Sequence, residues 1–92
     1  MNYTISQIKD KTQALQKMIG MFDYWANKPD SYFTAHNFDN KQAILERSKE
    51  SIRHNADYLA KMTQGYKVSI PAIQAAHNTL TQASDICANW KR

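Results

Sequence analysis

Glycine and proline are almost missing from this 92-residue chain, which holds only Gly20, Gly65, Pro29 and Pro71. Turns draw on both residues, and an all-β domain needs many turns. Their scarcity predicts long helices with few connections. Cysteine is down to Cys87, so no disulfide can form within the chain. No N-terminal apolar stretch resembles a signal peptide, and no apolar run is long enough to span a membrane. The expected setting is a reducing cytoplasm, away from any membrane. Leucine and valine are also few, with four leucines and one valine. Isoleucine, methionine, aromatic and alanine side chains must fill the interior. A core that thin leaves surface to bury against a partner or a second copy of the chain.

Charge of one sign is not concentrated anywhere. The net charge of +4 keeps nucleic acid in view. Acids and bases nevertheless interleave, as in Lys9-Asp10-Lys11 and Glu46-Arg47-Ser48-Lys49-Glu50. Such mixing favours solubility and nonspecific association over a dedicated phosphate surface.

What is present reads as an all-α fold, a small antiparallel three-helix bundle in a single domain over residues 1–92. The first predicted helix spans about 4–27. Thr4 can cap it, with Gln7 at the third helical position completing a capping box and Tyr3 and Ile8 forming a hydrophobic staple. Ile5, Ile8, Thr12, Leu15, Ile19, Phe22 and Ala26 alternate three and four apart, which makes one helical stripe. Ala14, Met18, Met21 and Trp25 make a second stripe beside it. The combined apolar arc covers roughly 200°, wide enough for two neighbours. Gly20 falls on the polar side, at a cost of about 1 kcal/mol relative to alanine. Pro29 disfavours helical geometry just before it.

The connection over 28–38 is long and rich in rings, and a short helical turn after Pro29 would fit it. The second predicted helix covers about 39–65, with Asp39 and Gln42 as a capping signal and Gly65 as its stop. Leu45, Ile52, Leu59 and Tyr66 recur every seven residues, flanked by Ile44, Tyr58 and Met62. Arg53–Asp57 and Asp57–Lys61 are spaced as helical ion pairs on the opposite face. The third predicted helix covers about 69–90, capped by Ser69 with Pro71 in its first turn. Ile73, Ala76, Leu80, Ala83, Cys87 and Trp90 form its stripe, with Ile70, His77 and Ser84 alongside on the inner side.

No constellation for chemistry emerges. His36, His54 and His77 lack the spacing of a structural zinc site, so no metal is expected. The expected places are a loop for His36, solvent for His54 and a core-facing seat for His77. Ser84 and His77 lie two turns apart on one helix, about 10 Å, beyond the reach of a side-chain hydrogen bond. Cys87 sits on the core stripe without a base beside it. No glycine-rich phosphate loop is present. The chain therefore reads as a non-enzyme, with no catalytic residue and no cofactor expected.

Three surfaces could carry binding instead. Ser48, Ser51 and Asn55 fall within the apolar arc of the second helix. Close packing with Asn55 fixing register is the preferred account, and a polar pocket or subunit contact is the other. Tyr24, Trp25, Tyr32, Phe33, His36 and Phe38 gather around the first connection, as a lid over the core or as a recognition surface. The outer side of the third helix presents Gln74, Asn78, Gln82 and Ile86 with Asp85 as the one charge between Ser69 and Trp90, and interface centres are depleted in charge.

The reading that follows is a protein–protein interaction module, by its size and lack of motifs an accessory product of a phage or mobile element that inhibits a host defence complex. Self-association is compatible with it. A weakly basic nucleic-acid-binding regulator stands second, and a small-molecule or nucleotide binder using the aromatic loop with Asn55 and His77 stands third.

Overall fold

Thr4 and Gln7 close the first helix as their spacing predicts. The Thr4 hydroxyl accepts from the Gln7 backbone N–H at 3.1 Å, and the Gln7 side chain accepts from the Thr4 N–H at 2.8 Å. Thr4→Ala removes half of this reciprocal pair and is expected to lower stability by about 1 kcal/mol, read from the urea midpoint of the helical signal. The computed structural model describes residues 3–35 and 40–89. Within them lie four helices: α1 (Ile5–Ala26), α2 (Asp30–Ala35), α3 (Lys41–Met62) and α4 (Pro71–Asn89). The fold is all-α, and α2 is the short helical turn anticipated after Pro29.

The chain runs up α1, down α3 and up α4. Each of these three helices packs on the other two. The body they form measures 46 × 22 × 20 Å. Its core takes Ile8, Leu15, Ile19 and Phe22 from α1, Leu45, Ile52, Leu59 and Met62 from α3, and Ile73, Ala76 and Ala83 from α4. The 3–4 spacing on α1 and the heptad on α3 thus point inward as expected. Thr12 joins the core because its hydroxyl donates to the Ile8 carbonyl one turn earlier, at 2.7 Å. Tyr66 lies past the end of α3, where its hydroxyl donates to the Tyr3 carbonyl and ties the end of α3 to the start of α1.

The helix limits differ from expectation in three places. Asn40 caps α3, accepting from the Ala43 N–H at 2.8 Å; Asp39, the expected cap, lies outside the described residues. α3 stops at Met62 with Thr63 as its C-cap, and Gly65 (φ +88°) turns the chain two residues later. Only glycine adopts that left-handed conformation freely. The residue before Pro71 is Ile70, whose carbonyl accepts the first α4 bond from Gln74 at 2.9 Å, so the cap position falls at Ile70 and not at Ser69.

The larger correction concerns the face that α4 buries. Thr79 is buried, and Ile86 packs against the core, while His77 and Ser84 are exposed. Ile73, Ala76, Leu80, Ala83 and Cys87 of the expected stripe lie in the core or pack against it, and Trp90 lies outside the described residues; beside that stripe the helix buries its Thr79 side, towards α1, in place of its His77 side. A threonine can enter the seam at little cost because its hydroxyl donates to the Ala75 carbonyl at 2.9 Å and accepts from the Gln16 amide at 3.1 Å. An imidazole there would need a partner of its own. His77 therefore stays in solvent. Ile86 belongs to the core edge and not to an outer recognition face.

Candidate functional site

Four large apolar side chains stay exposed among the described residues: Met21, Tyr24, Tyr58 and Val68. Val68 sits in the turn between α3 and α4. The other three follow the seam between α1 and α3 and the end of α1. That seam holds two grooves. One, of about 280 Å³, is lined by Lys17, Met18, Met21 and Trp25 of α1 and by Ser48 and Ser51 of α3. The other, of about 350 Å³, is lined by residues including Tyr3, Asp10, Lys11 and Ala14 on one side and Tyr58 and Met62 on the other.

Between them the Lys11 ammonium donates to Asn55 Oδ1 at 2.5 Å, and the Asn55 amide donates to the Ser51 carbonyl at 2.8 Å. Asn55 thus links α3 to α1, as the register-setting account requires. Ser48 and Ser51 do something else: they line the α3 side of the groove opposite Met21 and Trp25. The strip thus splits between a cross-helix bond at Asn55 and a groove lining at Ser48 and Ser51. The Lys11 ammonium also stands 4.9 Å from the Tyr58 ring centroid, and that ring meets Tyr3 edge-on at 5.9 Å.

The aromatic cluster divides in the same way. Phe33 is fully buried and anchors α2, so it offers no recognition surface. A six-residue helix has too little backbone bonding to persist alone, and its one large apolar residue must be spent on docking. Trp25 is half-buried against the core. Tyr24 and Tyr32 meet edge to face at 6.3 Å, with Lys28 4.5 Å above the first ring and 5.3 Å from the second. The hydrogen bond between the two hydroxyls, at 3.5 Å, lowers the Tyr24 pKa, and the Lys28 charge lowers it further; the same bond raises that of Tyr32. His36 and Phe38 lie outside the described residues. Lys28 was not legible as part of this cluster, although its position between Tyr24 and Tyr32 is the signal.

On α4, Gln74, Asn78 and Gln82 are exposed, as the sequence predicts. On α3, Glu46 pairs with Lys49 at 3.8 Å and Glu50 with Arg53, both three residues apart. Arg53 therefore reaches back to Glu50 in place of Asp57. These pairs occupy Glu46, Lys49, Glu50 and Arg53 with each other, and the Arg53–Asp57 and Asp57–Lys61 pairs that the spacing offers do not form among the described residues. His54 is exposed beside them. Among the described residues no group of three or more His, Cys, Asp or Glu converges as a metal site. Cys87 is half-buried with its sulfur 3.9 Å from the Lys49 carbonyl, and burial raises its thiol pKa, the reverse of what a nucleophile needs. No helix among the described residues is long and apolar enough to cross a membrane.

The molecule is thus a small helical module whose most distinctive surface is an apolar groove with a basic margin. Comparison with protein-family models, with curated proteins and with solved structures finds no match.

Proposed function

We propose that the protein is a non-enzymatic interaction module that binds an acidic protein segment along the α1/α3 seam. The observation that carries this reading is the groove itself. Met21 is 44% exposed beside Trp25, across the groove from Ser48 and Ser51. Methionine adapts to the shape of a partner, and tryptophan is enriched among residues that dominate binding energy. Lys11 and Lys17 border the grooves, Lys28 stands at the same end as Tyr24, and Asp10 is the one acid lining either groove. An apolar side chain flanked by carboxylates fits this margin in both shape and charge.

The finer reading is an inhibitor. A module this small acts on a larger complex by occupying one of its surfaces, as accessory proteins of phages and mobile elements do with host defence complexes. The mutual pairing on α3 disfavours nucleic acid, because phosphates would have to compete with Glu46 and Glu50 for Lys49 and Arg53.

Met21→Glu combined with Lys17→Glu tests the site, since both side chains are exposed and the fold should survive. The protein that copurifies with the wild-type chain from its native cells is expected to fall by roughly 100-fold in affinity. Undiminished binding by the double variant would sink this reading. Loss of binding in Gln74→Glu, Asn78→Glu would move the site to α4, and a copurifying nucleic acid released by salt would favour the nucleic-acid reading.

A further inference from the structure

The face formed by α1 and α4 lies on another side of the body and has a different character. Lys9, Gln13, Gln16, Gly20 and Asp23 recur four and three apart, so they share one side of α1, and all are exposed. Beside them runs α4, which carries a single formal charge in its 19 residues. Between the two helices opens a groove of about 490 Å³, whose lining includes Lys9, Gln13 and Gln16 of α1 and Pro71, Ala72 and Ala75 of α4.

Two features of this face find no use among the described residues. Gly20 costs helix stability, yet a Cβ at that position would meet nothing within 4 Å and the backbone there is ordinary helix. Among the described residues no packing or conformational need accounts for it. A second helix approaching closely would. Lys9 and Asp23 likewise make no ion pair among the described residues. They stand at opposite ends of the α1 stripe, about 21 Å apart along the axis, and cannot reach each other. Gln16 lies midway, seven residues from each.

We propose that a second copy of this chain packs antiparallel on the α1/α4 face, about a twofold axis near Gln16 and Gly20. A twofold axis turns each patch onto itself, so a residue on one side of the axis meets one from the other side. Lys9 of each copy then faces Asp23 of the other, which makes two reciprocal ion pairs around an uncharged centre. Gly20 lets the two α1 helices approach. The face is one long side of a body 46 × 22 × 20 Å, of the order of the roughly 800 Å² that each partner contributes to a standard interface.

Charge reversal on the full chain tests this, with sedimentation velocity read across a concentration series. The wild-type chain is expected to show a concentration-dependent dimer. Lys9→Asp or Asp23→Lys alone creates two like-charge contacts and is expected to weaken the dimer by roughly 10-fold or more. The double variant Lys9→Asp, Asp23→Lys restores the pairing and should recover most of that loss. Gly20→Phe should abolish the dimer while leaving the helical signal intact. A wild-type chain that stays monomeric at about 1 mM, or single reversals that the double variant does not rescue, would overturn the proposal. The seam between α1 and α3 is untouched by these changes, so failure here leaves the proposed partner site standing.

Discussion

Leu59→Ala is expected to lower the unfolding free energy by about 3 kcal/mol. Leu59 is fully buried on α3, one heptad after Ile52 and beside Met62, facing the side chains that α1 and α4 send inward. Truncation removes the transfer free energy of the lost carbons and leaves a cavity that three packed helices fill only in part. The fraction lost matters more than the number. A domain of this length has roughly 5–14 kcal/mol in total. Each kcal/mol moves the midpoint by about 4–8 °C, so the thermal transition should fall by roughly 15 °C or more. Leu59→Met keeps the volume and should cost less than about 1.5 kcal/mol. Thermal and urea unfolding followed by the helical signal check both. A cost below about 1 kcal/mol for the alanine variant would mean that Leu59 does not stand at the centre of the core.

The helices and most of the core were legible in the chain because their signals are local. Thr4 and Gln7 mark a helix start by spacing alone, and Leu45, Ile52 and Leu59 keep one face through a seven-residue repeat. The roll of α4 was not legible for a reason particular to it. Alanine occupies so many of its positions that the apolar arc has no sharp edge, and Thr79 reads as polar until Gln16 is known to stand opposite it. The groove was half legible. The apolar arc of α1 is wider than three packed helices consume, and its surplus is Met21 with part of Trp25. What the pattern does not reveal is that α3 answers that surplus with Ser48 and Ser51 and so leaves it open. The groove residues of α1 thus appear as an excess of the same signal that builds the core. Phe33 shows the converse, since a ring that could serve as lid or as recognition surface is fully buried.

The opposite kind of substitution tests the corrected face of α4. Ala76→Leu is expected to cost about 3 kcal/mol although it adds apolar volume. Ala76 is fully buried, and with Ala83 it supplies small side chains where Leu45, Ile52 and Leu59 supply large ones. Those alanines let α4 lie close to α1 and α3. A leucine there must displace a helix or adopt a strained rotamer, and a thin core has no void to absorb it. His77→Leu, one residue on, is expected to change stability by no more than about 0.5 kcal/mol, because the side chain stands in solvent. Under the inner placement that the sequence pattern suggests for His77, the same change would remove a buried imidazole and alter stability by much more. Urea unfolding of the two variants side by side therefore reads the roll of the helix directly. A large cost at Ala76 with none at His77 places the Thr79 side of α4 in the seam, and the reverse result would return His77 to the core.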